Sequence, residues 1–296
     1  MTGFFAIFDQ PQRLVLRGSI GSGFSVELGA WAQVSSPSKG KKEVVLTVAG
    51  KRAKLSDYPV TRYVVEGFAH AGVRLPSRLA IDITHELPIG AGFGMSASGA
   101  LSLALALDAL GSRQQGSPSP FAYKIAHEAD VACHTGLGDV VSEAYGGFEV
   151  RLVPGIRGEV KRLPFSGDVY LFARNEGIST RQVLTDPAKR RDIVSVGSKA
   201  LQDFVSSPTL ENFAKISMRF AEETRLAPKE ILELTRLLAP VAHAGMIMLG
   251  NSVYAFPRPG MEKECEDARK RIEAGKEWRT WKTRISEQGA RILSID

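Results

Sequence analysis

The chain has 296 residues, 44% of them hydrophobic, and 38 Lys and Arg against 32 Asp and Glu, a formal charge of +6. This is the composition of an ordinary folded, water-soluble protein, and it excludes a disordered, collagenous or coiled-coil chain. No run nears the roughly 18 apolar residues of a membrane span; the best, 101–110, is interrupted by Asp108. The N-terminus lacks the pattern of a secretory leader, so residence in the cytoplasm is expected. Cys133 and Cys265 are the two cysteines, too few for a disulfide framework, and are expected as buried thiols. Basic residues are dispersed, with small clusters at 39–42, 190–191 and 269–283 and no aromatic-interleaved stripe, which argues against a nucleic-acid role.

At this length two domains of about 150 residues are expected. Residues 12–34 and 43–49 read as strands, the first broken by the Gly18-Ser-Ile-Gly-Ser-Gly23 run. Residues 58–71 carry Val60, Val64, Val65 and Phe68 at helical spacing, with Gly72 as a stop. Leu79, Ile81 and Ile83 alternate as in a half-buried strand. The segment 99–110 is apolar nearly all round and predicts a buried helix. A Gly/Ser/Gln/Pro linker over 111–120 precedes a helix over 120–134, and a strand is expected from Gly147. The first domain, 1–163, is expected to close near Leu163. In 164–296 the pattern predicts strands at 169–173, 245–249 and 253–256, helices around 186–205, 209–222, 228–239 and 262–274, and a last strand pair near 278–294. Strands and helices mixed without strict alternation predict an α+β domain with an antiparallel sheet.

Between the 79–85 strand and the buried helix stands Gly90-Ala-Gly92-Phe-Gly94-Met95-Ser96-Ala97-Ser98. Alternating glycines let backbone approach a ligand, and N–H groups at a helix start face an anion, so the stretch reads as a phosphate cradle. It lacks the Gly-x-x-x-x-Gly-Lys-Ser/Thr spacing of the P-loop. It has no acidic partner for a dinucleotide fold, and its Gly94-Met-Ser96-Ala-Ser98 has Ser where a serine-hydrolase elbow needs Gly. On the 120–134 helix, His127, Asp130 and His134 fall at i, i+3 and i+7 and share one face, an arrangement that leaves a zinc site open as an alternative.

Pro88-x-x-x-Gly92-x-Gly94-x-Ser96-Ala97 resembles the ATP-phosphate motif of the GHMP kinases, the superfamily of galactokinase, homoserine kinase and mevalonate kinase. Gly136-Leu-Gly-Asp139 with Tyr145-Gly-Gly147 resembles the segment of the catalytic aspartate, and residues 244–256 resemble the C-terminal glycine-containing hairpin. The Thr2-Gly-Phe-Phe, Gly18-to-Gly23 and Ala126-His-x-Ala-Asp-Val segments most resemble the archaeal pantoate kinases. The resemblance implies an α+β, two-domain GHMP kinase fold, with a ribosomal S5 domain 2-like N-terminal domain and a ferredoxin-like C-terminal domain. It implies transfer of phosphate from ATP, with Mg²⁺, to the primary hydroxyl of pantoate, in coenzyme A biosynthesis. Gly90, Gly92, Gly94, Met95, Ser96, Ala97 and Ser98 would hold the ATP phosphates, Ser96 and Asp130 the Mg²⁺, and Asp139 would be the base. Ser19, His127, Arg151 and Thr180 are the implied pantoate contacts, Arg151 for the carboxylate and His127 for a hydroxyl. No membrane or nucleic-acid partner is implied, and a homodimer stays open. Relatives place a strand and a Pro-x-His segment before Thr2-Gly-Phe-Phe, so the expectation is either that part of that first motif is missing here or that the start of the chain lies further upstream than Met1. Homoserine, shikimate or mevalonate as acceptor, and a non-catalytic nucleotide-binding regulator on the same fold, remain as alternatives.

Overall fold

The computed structural model describes residues 1–37, 43–112, 119–174 and 180–294. The basic cluster at 39–42, most of the 111–120 linker and the Thr180 side chain lie outside the described residues. Among the described residues three four-stranded sheets carry the architecture. The first runs β1 (Thr2–Phe8), β2 (Gly18–Phe24), β7 (Phe148–Arg151) and β8 (Val160–Leu163), all antiparallel. The second runs β3 (Ala30–Ser35), β6 (Arg78–His85), β4 (Glu43–Val48) and β5 (Lys51–Ala53), with β4 and β6 parallel. The third runs β10 (Ala242–Ile247), β11 (Ser252–Pro257), β9 (Asp168–Ala173) and β12 (Arg279–Arg284), all antiparallel. Between β9 and β10 lie α5 (Thr180–Thr185), α6 (Pro187–Ser206), α7 (Leu210–Glu223) and α8 (Lys229–Leu238), and α9 (Glu262–Ala274) leads into β12. This strand order is the ferredoxin-like one, and the whole is an α+β fold.

Several boundaries differ from expectation, each for a local reason. The 12–34 segment is not one strand: Leu14–Leu16 forms a 3-10 turn, and the Gly18-to-Gly23 run is itself β2 rather than a break. Its glycines are required there, because a Cβ at Gly21 would strike the β1 carbonyl of Phe4 and one at Gly23 the carbonyl of Met1 just before β1. The last strand pair reduces to β12, with Ile285 bridging to Val26. Cys265 is buried, but Cys133 is only partly so.

In β6, Leu79, Ile81 and Ile83 turn inward and Asp82 and Thr84 outward, the alternation a one-sided sheet requires. They pack under α1 (Pro59–His70), α2 (Met95–Ser112) and α3 (Pro120–Ala132), where Val64, Phe68, Leu101, Leu105 and Ala126 complete one core. The second core joins the first and third sheets and so runs across residue 163. Phe24, Phe148, Phe213, Tyr254 and Phe256 meet there with ring centroids 4.7–6.3 Å apart. Aromatic rings at this spacing add about 0.5–1.5 kcal/mol per pair beyond their burial. The two halves of the chain are thereby held as walls of one cleft.

Candidate active site

The cleft contains a cavity of about 390 Å³ between the Gly90–Ala97 loop, the Cys133–Asp139 segment, Thr2, Phe5 and Ser19 of the first sheet, and Leu184, Met248 and Leu249 of the C-terminal half. The loop leaves β6 and feeds α2, and Gly90, Gly92 and Gly94 have φ of +83°, +83° and +75°. Side chains avoid that left-handed region, so glycine is the residue that lets the chain coil so tightly. Gly92 lies against the β10–β11 turn, where an added Cβ would sit 3.0 Å from both Gly250 and the Met248 carbonyl. Helix α2 starts at Met95, four residues earlier than the apolar periodicity predicts, and its first-turn N–H groups open toward the cavity. Such unpaired donors, with the positive end of the helix dipole, favour an anion. Ser96 lines the cavity from this turn.

Asp139 faces the loop from the other side. It is the first residue of α4 (Asp139–Tyr145), a helix that Gly-Leu-Gly-Asp disguises as a turn. Asp130, on α3, lies behind it and is 1% exposed. A Cβ at Gly136 would collide with Asp130 Oδ2 and Asp139 Oδ2 together, so the two carboxylates face each other across this glycine. Thr135 Oγ1 donates to Asp130 Oδ1 at 2.6 Å, while Oδ2 is buried without a hydrogen-bond partner among the described residues. Burial, with the charge of Asp139 second, pushes the Asp130 carboxyl up to about 8 against the opposing Thr135 hydrogen bond. Glu143, one turn after Asp139 and unrecognised in the sequence, turns its carboxyl under Gly94, and burial and Asp139 raise it well above the usual carboxylate range.

The expected acceptor contacts are placed unequally. Ser19 lines the cavity. Arg151 does not: it is 2% exposed, and its Nη1 donates to Glu149 Oε1 and to Ser142 Oγ. Its Nη2 reaches Thr2 Oγ1 at 3.4 Å, and its Nε, which has no hydrogen-bond partner among the described residues, is aimed at Gly138 beside Ser19. The guanidinium thus stands one layer behind the cavity wall. His127 is fully buried and is hydrogen-bonded through Nε2 to the Arg17 carbonyl at 2.9 Å, bracing the strand that bears Ser19 rather than lining the cavity. Burial lowers its pKa. His134 lies past the end of α3 with φ +57°, so the His127, Asp130, His134 face does not form. Among the described residues no three His, Cys, Asp or Glu side chains are arranged to hold a metal. Thr180 begins α5, its side chain outside the described residues.

With this geometry in hand, residues 59–147 match the GHMP kinases N terminal domain. A pantoate kinase of Thermococcus kodakarensis is 32% identical over 91% of this chain and 88% of its own. A pantoate kinase of Methanocaldococcus jannaschii is 29% identical over 90% and 93%. A solved phosphotransferase related to the CoA biosynthesis pathway superposes with a TM-score of 0.83 at 28% identity, covering 98% of this chain and 94% of that one. A galactokinase of Lactococcus lactis, at 14% identity and TM-score 0.69 over 98% and 94%, shares the fold. The extent and identity of these matches show that the chain belongs to the pantoate kinase family of the GHMP kinases.

Proposed function

We propose that the chain transfers the γ-phosphoryl group of ATP to the primary hydroxyl of pantoate, giving 4-phosphopantoate and ADP. The observation that carries the reading is the pairing of Asp139 with the α2 N-terminus across one cavity. Phosphoryl transfer needs positioning and charge stabilisation more than covalent chemistry. Backbone N–H groups of Gly92–Ala97 bind phosphate oxygens, and the Asp139 carboxylate orients the acceptor hydroxyl and takes its proton. Arg151, buried one layer behind the wall with its Nε aimed at Gly138 beside Ser19, supplies positive charge toward the pantoate carboxylate without touching it. Thr180 is carried as a further contact, and His127 as the brace of the Ser19 strand.

The residues also fit a divalent cation. Asp130 Oδ2 is a buried acceptor without a hydrogen-bond partner among the described residues, facing a second carboxylate, and Ser96 lines the opposite wall. Mg²⁺ held there would neutralise charge between the β- and γ-phosphates. We divide the enzyme after Leu163, so that residues 1–163 carry loop and base and residues 164–296 close the cleft, and we place the reaction in the cytoplasm. The test is ADP release with pantoate, homoserine, shikimate and mevalonate in parallel. Turnover with pantoate alone, and a phosphate ester on its primary hydroxyl, is the expected result. Preference for another acceptor refutes the substrate, and no turnover with any refutes the enzyme in favour of a nucleotide-binding regulator.

A further inference from the structure

A second cavity, of about 800 Å³, lies on the far side of α4 and, among the described residues, shares no lining residue with the first. Its wall is apolar, built from Leu16, Phe121, Val141, Ala144, Tyr145 and Ile156. Leu16 and Tyr145 keep 51% and 45% of their surface exposed, an open apolar face that burial would stabilise. Its polar side chains include three cations, Arg13, Lys124 and Arg157, and among the described residues no Asp or Glu lines it. Arg13 and Arg157 form no ion pair with a described residue, and Lys124 meets Glu128 at 3.9 Å.

Helix α4 is the partition between the two cavities. At about 100° per residue, Asp139 and Glu143 fall on one side, and Val141, Ala144 and Tyr145 on the other. The second cavity also touches the Leu14–Leu16 turn, whose Val15 carbonyl accepts from the Ile156 N–H at 3.1 Å. The same segment continues through Arg17, held by His127, to Ser19. An occupant would therefore press on the supports of both Asp139 and Ser19.

We propose that this cavity binds a small amphipathic anion, an apolar or aromatic body with one carboxylate, sulfonate or phosphate group, and that occupancy alters catalysis through α4. The volume suits a ligand of that size. The apolar wall takes the body, and the unpaired cations select the charge. Because the two sites share a helix but no lining residue, the ligand acts without displacing ATP, and each ligand shifts the affinity of the other reciprocally.

The probe is 1-anilinonaphthalene-8-sulfonate, titrated by fluorescence, with its uncharged counterpart N-phenyl-1-naphthylamine beside it. Saturable binding to one site is expected, surviving saturating ATP. It should weaken about ten-fold for the neutral dye and for Arg13→Gln/Arg157→Gln, the scale of charge-assisted contacts at a partly exposed site. Ala144→Phe, which fills the cavity from its wall, should abolish it. At a dye concentration near the wild-type Kd, which leaves the ten-fold weaker double variant mostly unoccupied, kcat for ADP release should change in the wild type and hardly in the double variant. Non-saturable binding, competition with ATP, or equal affinity for both dyes would overturn the site. A dimer at assay concentration that excludes the dye would overturn it in favour of a second copy of the chain. Binding with unaltered kcat would overturn the transmission through α4.

Discussion

Replacing Asp130 by Asn tests the charge balance of the site without reference to any substrate. Asp130 is 1% exposed, and its carboxyl titrates near 8, against an ordinary value of 3.8. An acid whose native pKa is raised binds more protons folded than unfolded, so the native state loses stability as pH rises from about 4 to about 8. Asn cannot ionise. It keeps an acceptor for Thr135 and offers an N–H₂ toward Asp139, removing the like-charge contact across Gly136. The variant should therefore be more stable than the wild type by roughly 2–4 kcal/mol at neutral pH, about 4–8 °C in Tm for a chain of this size. The assay is thermal denaturation of both proteins in chelator from pH 4 to 9. The difference in Tm should be near zero at pH 4, grow to neutrality and level off near pH 8. Glu143 is pushed up in part by the charge of Asp130, so its carboxyl should move back toward its ordinary range in the variant, which adds to the gain in stability in the same direction. A constant difference, or a less stable variant at pH 8, refutes the reasoning. Added Mg²⁺ and nucleotide should stabilise the wild type and leave the variant largely unmoved.

Three further outcomes follow from the same contacts. Arg151→Met leaves Glu149 as an unpaired buried charge and should cost about 3–5 kcal/mol by chemical denaturation; Arg151→Met/Glu149→Gln should recover most of it, while the pantoate KM stays raised in both and the ATP KM does not. Gly94→Ala places a Cβ at φ +75° and 2.6 Å from Glu143 Oε1, so ATP affinity should fall, with about 1–3 kcal/mol lost from stability in parallel denaturation. Ser96→Ala should raise the Mg²⁺ concentration for half-maximal rate as well as lower kcat, since octahedral Mg²⁺ must replace a lost ligand with water.

The β6–loop–α2 unit was legible because its signals are strong and local: period-two alternation, three glycines that need positive φ, then an apolar helix. Strand β2 was not, since glycine has no side chain with which to show a strand pattern, and its pairing with β1 depends on that emptiness. Helix α4 was hidden for a related reason. It has seven residues, and the Gly-Leu-Gly entry is good turn chemistry. Once α4 exists, Glu143 follows from its i+4 spacing to Asp139, so missing the helix meant missing the acid. Arg151 and Glu149 were obscured differently. Phe148 and Val150 turn into the aromatic core while Glu149 and Arg151 face Ser142, so β7 is buried on both sides. An alternating polar pattern normally marks a solvated face, and only the paired charges betray that this one is covered.

In the proposed reaction Asp139 activates the acceptor hydroxyl in a cavity where α2 holds the phosphates. Steady-state ADP release with pantoate, measured for wild type and Asp139→Asn alongside ATP affinity by calorimetry, tests it most directly. A fall in kcat of about 10²–10⁴ with ATP affinity nearly unchanged is expected, because the amide keeps the size and loses the base. An Asp139→Asn enzyme with wild-type kcat would contradict it.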